Sequence, residues 1–423
     1  MSTPPSPARP EVLPGLTSSS AVSAPAPRRR RLFLRNWLWR APAVPAEERP
    51  PREQPGLALA LARSRRMQLR GRAVLLWALG LYVLVQIPLV FWFVESCNPI
   101  MPATWKFKSA QLRQLVDREP ERPLLVMLGS SRTDMAFDAG SLNGPEALTG
   151  PAGRPYLAYN CGIPTIASIQ EWLCLREMLE AGLRPRVLVV EYLPALMNEP
   201  GRGRSTEELW TAAAWMSLRQ MARIWPYCHR PKRKYGDWLQ ARLSPSYFFR
   251  GNLQSALLYR WFPAVKSPPP MFPHDAWGRQ DPDCLTPVHS CQSIAKVFPM
   301  YQDSLRFFRL SPLACQAMRD MVDHCRREGI TVVVVNMPES SIFRSWYPPE
   351  GRAAALRFLA ELHDEHGAEV IDANEWVEDQ DFIDGHHVRP EGARVFTTRL
   401  AAELRRLLGR GAADEGALAQ NLP

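Results

Sequence analysis

Ala73 to Val94 reads AVLLWALGLYVLVQIPLVFWFV, 22 residues without a charged side chain. A helix rising about 1.5 Å per residue crosses the roughly 30 Å hydrocarbon core of a bilayer in that length. The stretch therefore divides the chain into an arm before a membrane span and a larger body after it. Trp77, Tyr82, Trp92 and the Arg63/Arg65/Arg66/Arg70/Arg72 cluster suit interfacial anchoring, and Pro88 kinks a spanning helix without excluding it. Arginine before the span and Glu95 after it predict a cytoplasmic N-terminus and an extracytoplasmic body. A buried core helix fits the length and flanks poorly. A cleaved signal peptide fits the long preceding arm poorly, and no A-x-A site follows the run.

The formal net charge of +10 sits in one place. Residues 1–72 hold 14 Arg, no Lys and 4 Glu, and the rest of the chain is balanced at 38 basic and 38 acidic residues. A balanced body argues against a nucleic-acid-binding domain. Residues 1–55 carry 12 prolines among Ser, Ala and Arg, a composition that buries no core and is expected to be a disordered cytoplasmic arm. Within it, Arg28 to Arg40 interleaves Arg with Leu, Phe and Trp, which fits an anionic lipid surface or plain solvated chain equally. Residues 56–72 are expected to form a basic juxtamembrane helix, residues 98–410 a folded domain, and residues 411–423 a disordered tail. All eight cysteines follow the span. Disulfides are permitted there, but eight cysteines allow 105 pairings, and buried free thiols fit as well.

The body has a strand–helix rhythm. Leu124–Leu128, Tyr156–Asn160, Arg186–Glu191, Thr331–Asn336 and Glu369–Asp372 are short Val/Leu-rich runs, and Ser109–Asp117, Ile166–Leu179 and Glu350–His366 have helical spacing. Apolar runs without alternation predict strands buried on both faces. The expected fold is α/β, a three-layer α/β/α sandwich around a mostly parallel sheet. Residues 200–310 break the rhythm and read as a helical and loop insertion, with helices over Ser205–Ile224 and Gly251–Trp261 and a Pro-rich loop over Lys266–Asp283. Insertions of this kind shape substrate grooves or partner surfaces.

Two stretches carry chemistry. Phe382 to Gly392 reads F-x-D-x-x-H-V-x-x-x-G, which puts Asp384 three residues before His387. A carboxylate so placed can orient an imidazole as a general base. The same loop also fits a simple hydrogen bond or, with His386, a metal site. Far upstream, Leu124–Leu128 runs into Gly129-Ser130-Ser131. Such a turn at a strand tip exposes a hydroxyl, although a helix cap is an equal reading of the turn alone.

The ordered combination, with a second strand leading into Asn160-x-Gly162, resembles the SGNH/GDSL hydrolase superfamily over roughly residues 123–200 and 325–405. That resemblance implies Ser131 as nucleophile, with Ser130 in the place of the family's Asp, and Asp384 and His387 as its catalytic partners. It implies an oxyanion hole from the N–H groups of Ser131 and Gly162, with Asn160 as a helper. The family's third block, Gly-x-Asn-Asp, is missing; the corresponding strand ends Val190-Glu191-Tyr192. In that respect the chain resembles the membrane-anchored branch that includes the D-alanyl transfer protein of teichoic acid modification and the alginate O-acetylation proteins. The branch implies an esterase or O-acyltransferase acting on acyl esters of an envelope polysaccharide, beside a membrane-bound O-acyltransferase, with no cofactor and no metal. The contrasting expectation is an inactive SGNH-fold scaffold or glycan-binding partner of such an acyltransferase.

Three further motifs are weaker. Trp277, in His274-Asp275-Ala-Trp277, is a candidate glycan contact, with ordinary packing the more economical reading. His363 and His366 resemble a metal pair but sit at a helix end, where a solvated face is expected. Glu339-Ser340-Ser341 reads as loop and cap chemistry near the rim of the site.

Overall fold

The computed structural model describes residues 55–92, 100–144, 147–150, 153–199, 205–211, 213–258, 261, 273–280 and 290–420. The Arg/Pro-rich arm and most of the Pro-rich loop expected at Lys266–Asp283 lie outside them. The chain divides into two compact units, Met1–Arg70 and Gly71–Pro423. Of the first, only residues 55–70 are described, and all of them are helical.

One helix, Pro55–Phe91, contains both the juxtamembrane segment and most of the apolar stretch. Its Arg63–Phe91 portion is long and apolar enough to cross a membrane. Leu75, Leu76 and Trp77 lie bare on its surface. Two polar side chains of its apolar stretch meet the insertion: Tyr82 Oη is 2.6 Å from Ser244 Oγ, and Ser246 N–H donates to Gln86 Oε1 at 3.1 Å.

Among the described residues of the second unit, five parallel strands form one sheet: β1 Leu124–Gly129, β2 Leu157–Gly162, β3 Val187–Tyr192, β4 Thr331–Asn336 and β5 Glu369–Asp372, in the order β2-β1-β3-β4-β5. Alternation along each strand feeds two separate cores. Leu124, Val126 and Leu128 of β1 join Leu188 and Val190 of β3 on one face, against the helices Ser168–Glu180, Pro312–Arg327 and Pro349–Asp364. Leu125 and Met127 join Val187 and Val189 on the other, against Phe137, Leu142, Phe396 and Leu400. Each such side chain contributes about 1.5–3 kcal/mol when fully buried, which is why both faces of the strands are apolar. The result is the three-layer α/β/α sandwich that the strand pattern predicted.

The strand order also fixes where a site belongs. From β1 the chain moves outward to β2 and then crosses to β3 on the other side of β1, so the loops after β1 and β3 part company. Open parallel sheets bind their ligands in the crevice this creates at the carboxyl ends of the strands.

The insertion differs in detail from its expectation. Ser205–Ile224 is three short pieces, Thr206–Trp210, Ala213–Trp215 and Leu218–Ile224, rather than one helix. Ser205 and Ser217 each cap a new helix start, so local hydrogen bonding overrides the continuous apolar spacing. A helix over Ser290–Arg306, unmarked by the sequence reading, returns toward the sheet. The last helix, Pro390–Gln420, enters the segment expected to be a disordered tail. Cys161, Cys174, Cys228, Cys315 and Cys325 are buried free thiols.

Candidate active site

Ser131 begins a short helix, Ser131–Ala136, directly after β1. Ser130 caps it, its Oγ accepting from Arg132 N–H at 3.1 Å. The turn is held from below by Glu191 at the end of β3. Its carboxylate accepts from Ser130 N–H at 2.7 Å, Ser130 Oγ at 2.9 Å and Thr133 Oγ1 at 2.7 Å. Gly129 makes this approach possible, because a Cβ there would lie 2.4 Å from Glu191 Oε2. Glu191 is the positioning residue that the sequence reading passed over. Its only signal was a charge ending an otherwise apolar strand.

The late loop arrives from the other side. Phe382 and Val388 form an isolated bridge, Gly385 takes φ 94°, and Ser340 N–H donates to Gly385 O at 2.9 Å. The positive φ there suits only glycine. Within this turn Asp384 Oδ2 lies 2.8 Å from His387 Nδ1, and its Oδ1 accepts from His387 N–H at 2.9 Å. His387 Nε2 in turn lies 2.7 Å from Ser131 Oγ. Burial alone would raise the Asp384 carboxyl. The charge and hydrogen bond of His387, helped by His386, override it and hold the carboxyl well below the usual range. An ionised Asp384 requires the proton on Nδ1, which leaves Nε2 to accept from the serine hydroxyl.

The two other residues assigned to an oxyanion hole are committed elsewhere. Gly162 N–H donates to Asn160 Oδ1 at 2.8 Å, and Asn160 Nδ2 donates to the carbonyls of Thr133 at 2.9 Å and Phe137 at 2.7 Å. Asn160 is fully buried. A Cβ at Gly162 would lie 2.3 Å from Asp134 N, so this glycine lets the serine-bearing helix seat on β2. The polar groups of Asn160 and the Gly162 N–H are thus hydrogen-bonded within the packing of β2 against the serine-bearing helix. Trp277 is not in the pocket wall. Asp275 and Gly278, at φ 83°, fold its loop onto the edge of β2, where the Trp277 carbonyl accepts from Asn160 N–H at 2.9 Å.

Beside Ser131 lies a cavity of about 230 Å³. Its polar end holds Ser131, His387, His386 and Asp384, and Thr165, at φ 70°, stands in its wall. A non-glycine residue in that conformation is strained. His386 is pushed well below the ordinary imidazole range by burial, then by the neighbouring His387, and is neutral at pH 7. Ligand atoms of Asp384, His386 and His387 lie within 4.8 Å of one another, a spacing compatible with a metal ion. A cation there would compete with His387 for the Asp384 carboxylate. The Nδ1 atoms of His363 and His366 lie 2.8 Å from Ala368 O and Asp323 Oδ1, respectively.

Buried charge surrounds the serine helix. Arg132 pairs with Glu339 at 2.8 Å, and Tyr347 Oη donates to the same oxygen at 3.1 Å; Glu339 thus serves more than loop chemistry. Lys108, fully buried, donates to Asp134 Oδ1 at 2.7 Å and to Gly162 O at 2.6 Å.

A protein-family model matches residues 304–409, the stretch holding β4, β5 and the Asp384–His387 turn. No curated protein matches the chain. Among solved structures, a GDSL-like lipase from Bacteroides thetaiotaomicron is similar at 11% identity, over 72% of this chain and 98% of that one, with a TM-score of 0.31. The parallel sheet assigns the fold here independently of so distant a likeness.

Proposed function

We propose that the chain is a membrane-anchored serine esterase or O-acyltransferase. Its substrate would be an acyl ester of an envelope polysaccharide, with a membrane-bound O-acyltransferase as the accompanying partner. The observation that carries this reading is the line from Ser131 Oγ through the His387 ring to Asp384, closed by bonds of 2.7 and 2.8 Å at the edge of a cavity. His387 takes the Ser131 proton while Asp384 holds the ring. Ser131 Oγ attacks the acyl carbonyl, with the Ser131 N–H as the remaining oxyanion donor. The imidazolium returns its proton to the departing alcohol. Water or a sugar hydroxyl then releases the acyl group. The arginine-rich flank before the apolar helix supports an extracytoplasmic site.

The second reading, an inactive scaffold or glycan-binding partner, draws support from the commitment of Gly162 and Asn160 to packing, which leaves fewer oxyanion donors. A fluorophosphonate probe separates the two. Wild type labels and turns over an activated acetyl ester, whereas Ser131→Ala loses labelling and about 10⁴–10⁶-fold in turnover. Unchanged turnover in the variant removes Ser131 from the chemistry, and absence of labelling in wild type favours the scaffold.

A further inference from the structure

We propose that the cavity beside Ser131 is an acyl pocket for medium-length saturated chains, about four to eight carbons, rather than for acetyl alone or a long fatty chain. The proposal rests on the serine-esterase reading and names what that site accepts. Away from its polar end the wall is made by Leu193, Leu196, Trp210, Val297, Met300 and Tyr301. The first two follow β3, and the rest come from the insertion, three of them from the helix Ser290–Arg306. The charged side chain among the other described residues of the wall, Arg132, is turned to Glu339. Leu193, Leu196, Val297 and Met300 offer no N–H or O–H group, so a sugar placed against them would leave hydroxyls unpaired, at a high desolvation penalty. An alkyl chain leaves nothing unpaired, so the acyl group belongs here and the alcohol on the open side.

Size sets the chain length. An apolar cavity of about 150 Å³ takes benzene, with six carbons. A cavity of about 230 Å³ scales to about nine heavy atoms, which matches a hexanoyl or octanoyl group with its carbonyl. Met300, 59% exposed, marks the mouth. Longer chains run past it into solvent and gain little. In the transfer step a bond forms between Ser131 Oγ and the acyl carbon, and the bond from that carbon to the alcohol oxygen breaks. The serine proton passes through His387 to that oxygen.

The test is a series of p-nitrophenyl acetyl, butyryl, hexanoyl, octanoyl, lauroyl and palmitoyl esters with the full chain in detergent. Alkyl fluorophosphonates of matching lengths are run in parallel. From acetyl to hexanoyl, kcat/KM is expected to rise about fourfold per methylene, to level at octanoyl and to fall at lauroyl. Met300→Trp at the exposed mouth and Leu196→Phe within the wall lower the hexanoyl-to-acetyl ratio about tenfold. Melting temperature checks that both variants fold. A flat series, an optimum at acetyl, or rates still climbing at palmitoyl overturns the pocket assignment and leaves Ser131 as nucleophile. Turnover that survives in Ser131→Ala overturns the nucleophile instead. Neither turnover nor labelling at any length overturns both.

Discussion

Ser131 Oγ and His387 Nε2 stand 2.7 Å apart, although 256 positions separate them in the chain. The contact exists because β1 ends at the sheet's switch point and the loop after β5 folds back across the same edge. Asp384 supplies the third member from within the same turn as the histidine, so its role can be tested without disturbing the sheet. Asp384→Asn keeps the shape but favours the wrong ring tautomer. It is expected to lower kcat about 10⁴-fold with little change in melting temperature. Wild-type turnover in that variant would show that the ring needs no carboxylate.

Glu191 anchors the Ser130–Thr133 turn through three hydrogen bonds. Glu191→Gln replaces one accepting oxygen with a donor and sets it against the hydroxyl and N–H donors of the turn. Denaturant unfolding should show a loss of about 2–4 kcal/mol, and kcat/KM should fall about 10²-fold as Ser131 loses its placement. A loss of stability without a loss of turnover would confine Glu191 to folding.

Lys108 and Asp134 form a buried pair under the serine helix. Burial alone would raise the Asp134 carboxyl; Lys108 and His274 override it and lower it. A depressed carboxyl contributes stability above its unfolded value, about 3.9, and loses it as pH falls through the folded one. Lys108→Met leaves the carboxylate only His274 and the Gln280 N–H and is expected to lose about 3–5 kcal/mol at neutral pH. Asp134→Asn in the same background should restore part of that and flatten the acid limb of the stability curve.

Glu171 is fully buried, and neither carboxylate oxygen has a hydrogen-bond partner. Burial, then Glu191 and Glu207, raises its carboxyl well above the ordinary value. The unfolded chain ionises from about pH 4.3 upward while the folded one stays neutral, so this group lowers stability as pH rises. Glu171→Leu should therefore stabilise by about 1–3 kcal/mol, with a larger gain in melting temperature at pH 8 than at pH 5. An equal gain at both would mean that the carboxyl is ionised in the folded state.

The apolar helix, the five strands and the Ser131, Asp384 and His387 positions were all legible in the chain itself. Each is a local pattern: an uncharged run of spanning length, Val/Leu segments too short and too apolar for surface helices, or polar residues beside a glycine in each of two separate turns. The bonding of Asn160 and Gly162 was not legible, because a motif does not record which groups are already bonded. Only packing against the serine helix showed them occupied. The anchoring role of Glu191 and the pairs Lys108–Asp134 and Arg132–Glu339 left no usable trace in spacing, since their partners lie on different elements.

Residue types and their short-range periods thus determined the layers, the parallel strands and the chemistry available at the two chain segments. Only the tertiary structure decided that those segments meet, which backbone donors stay free and which apolar side chains close the cavity. Local propensity acts over a few residues, whereas those outcomes depend on contacts between elements that the loops and the insertion bring together across the sheet edge.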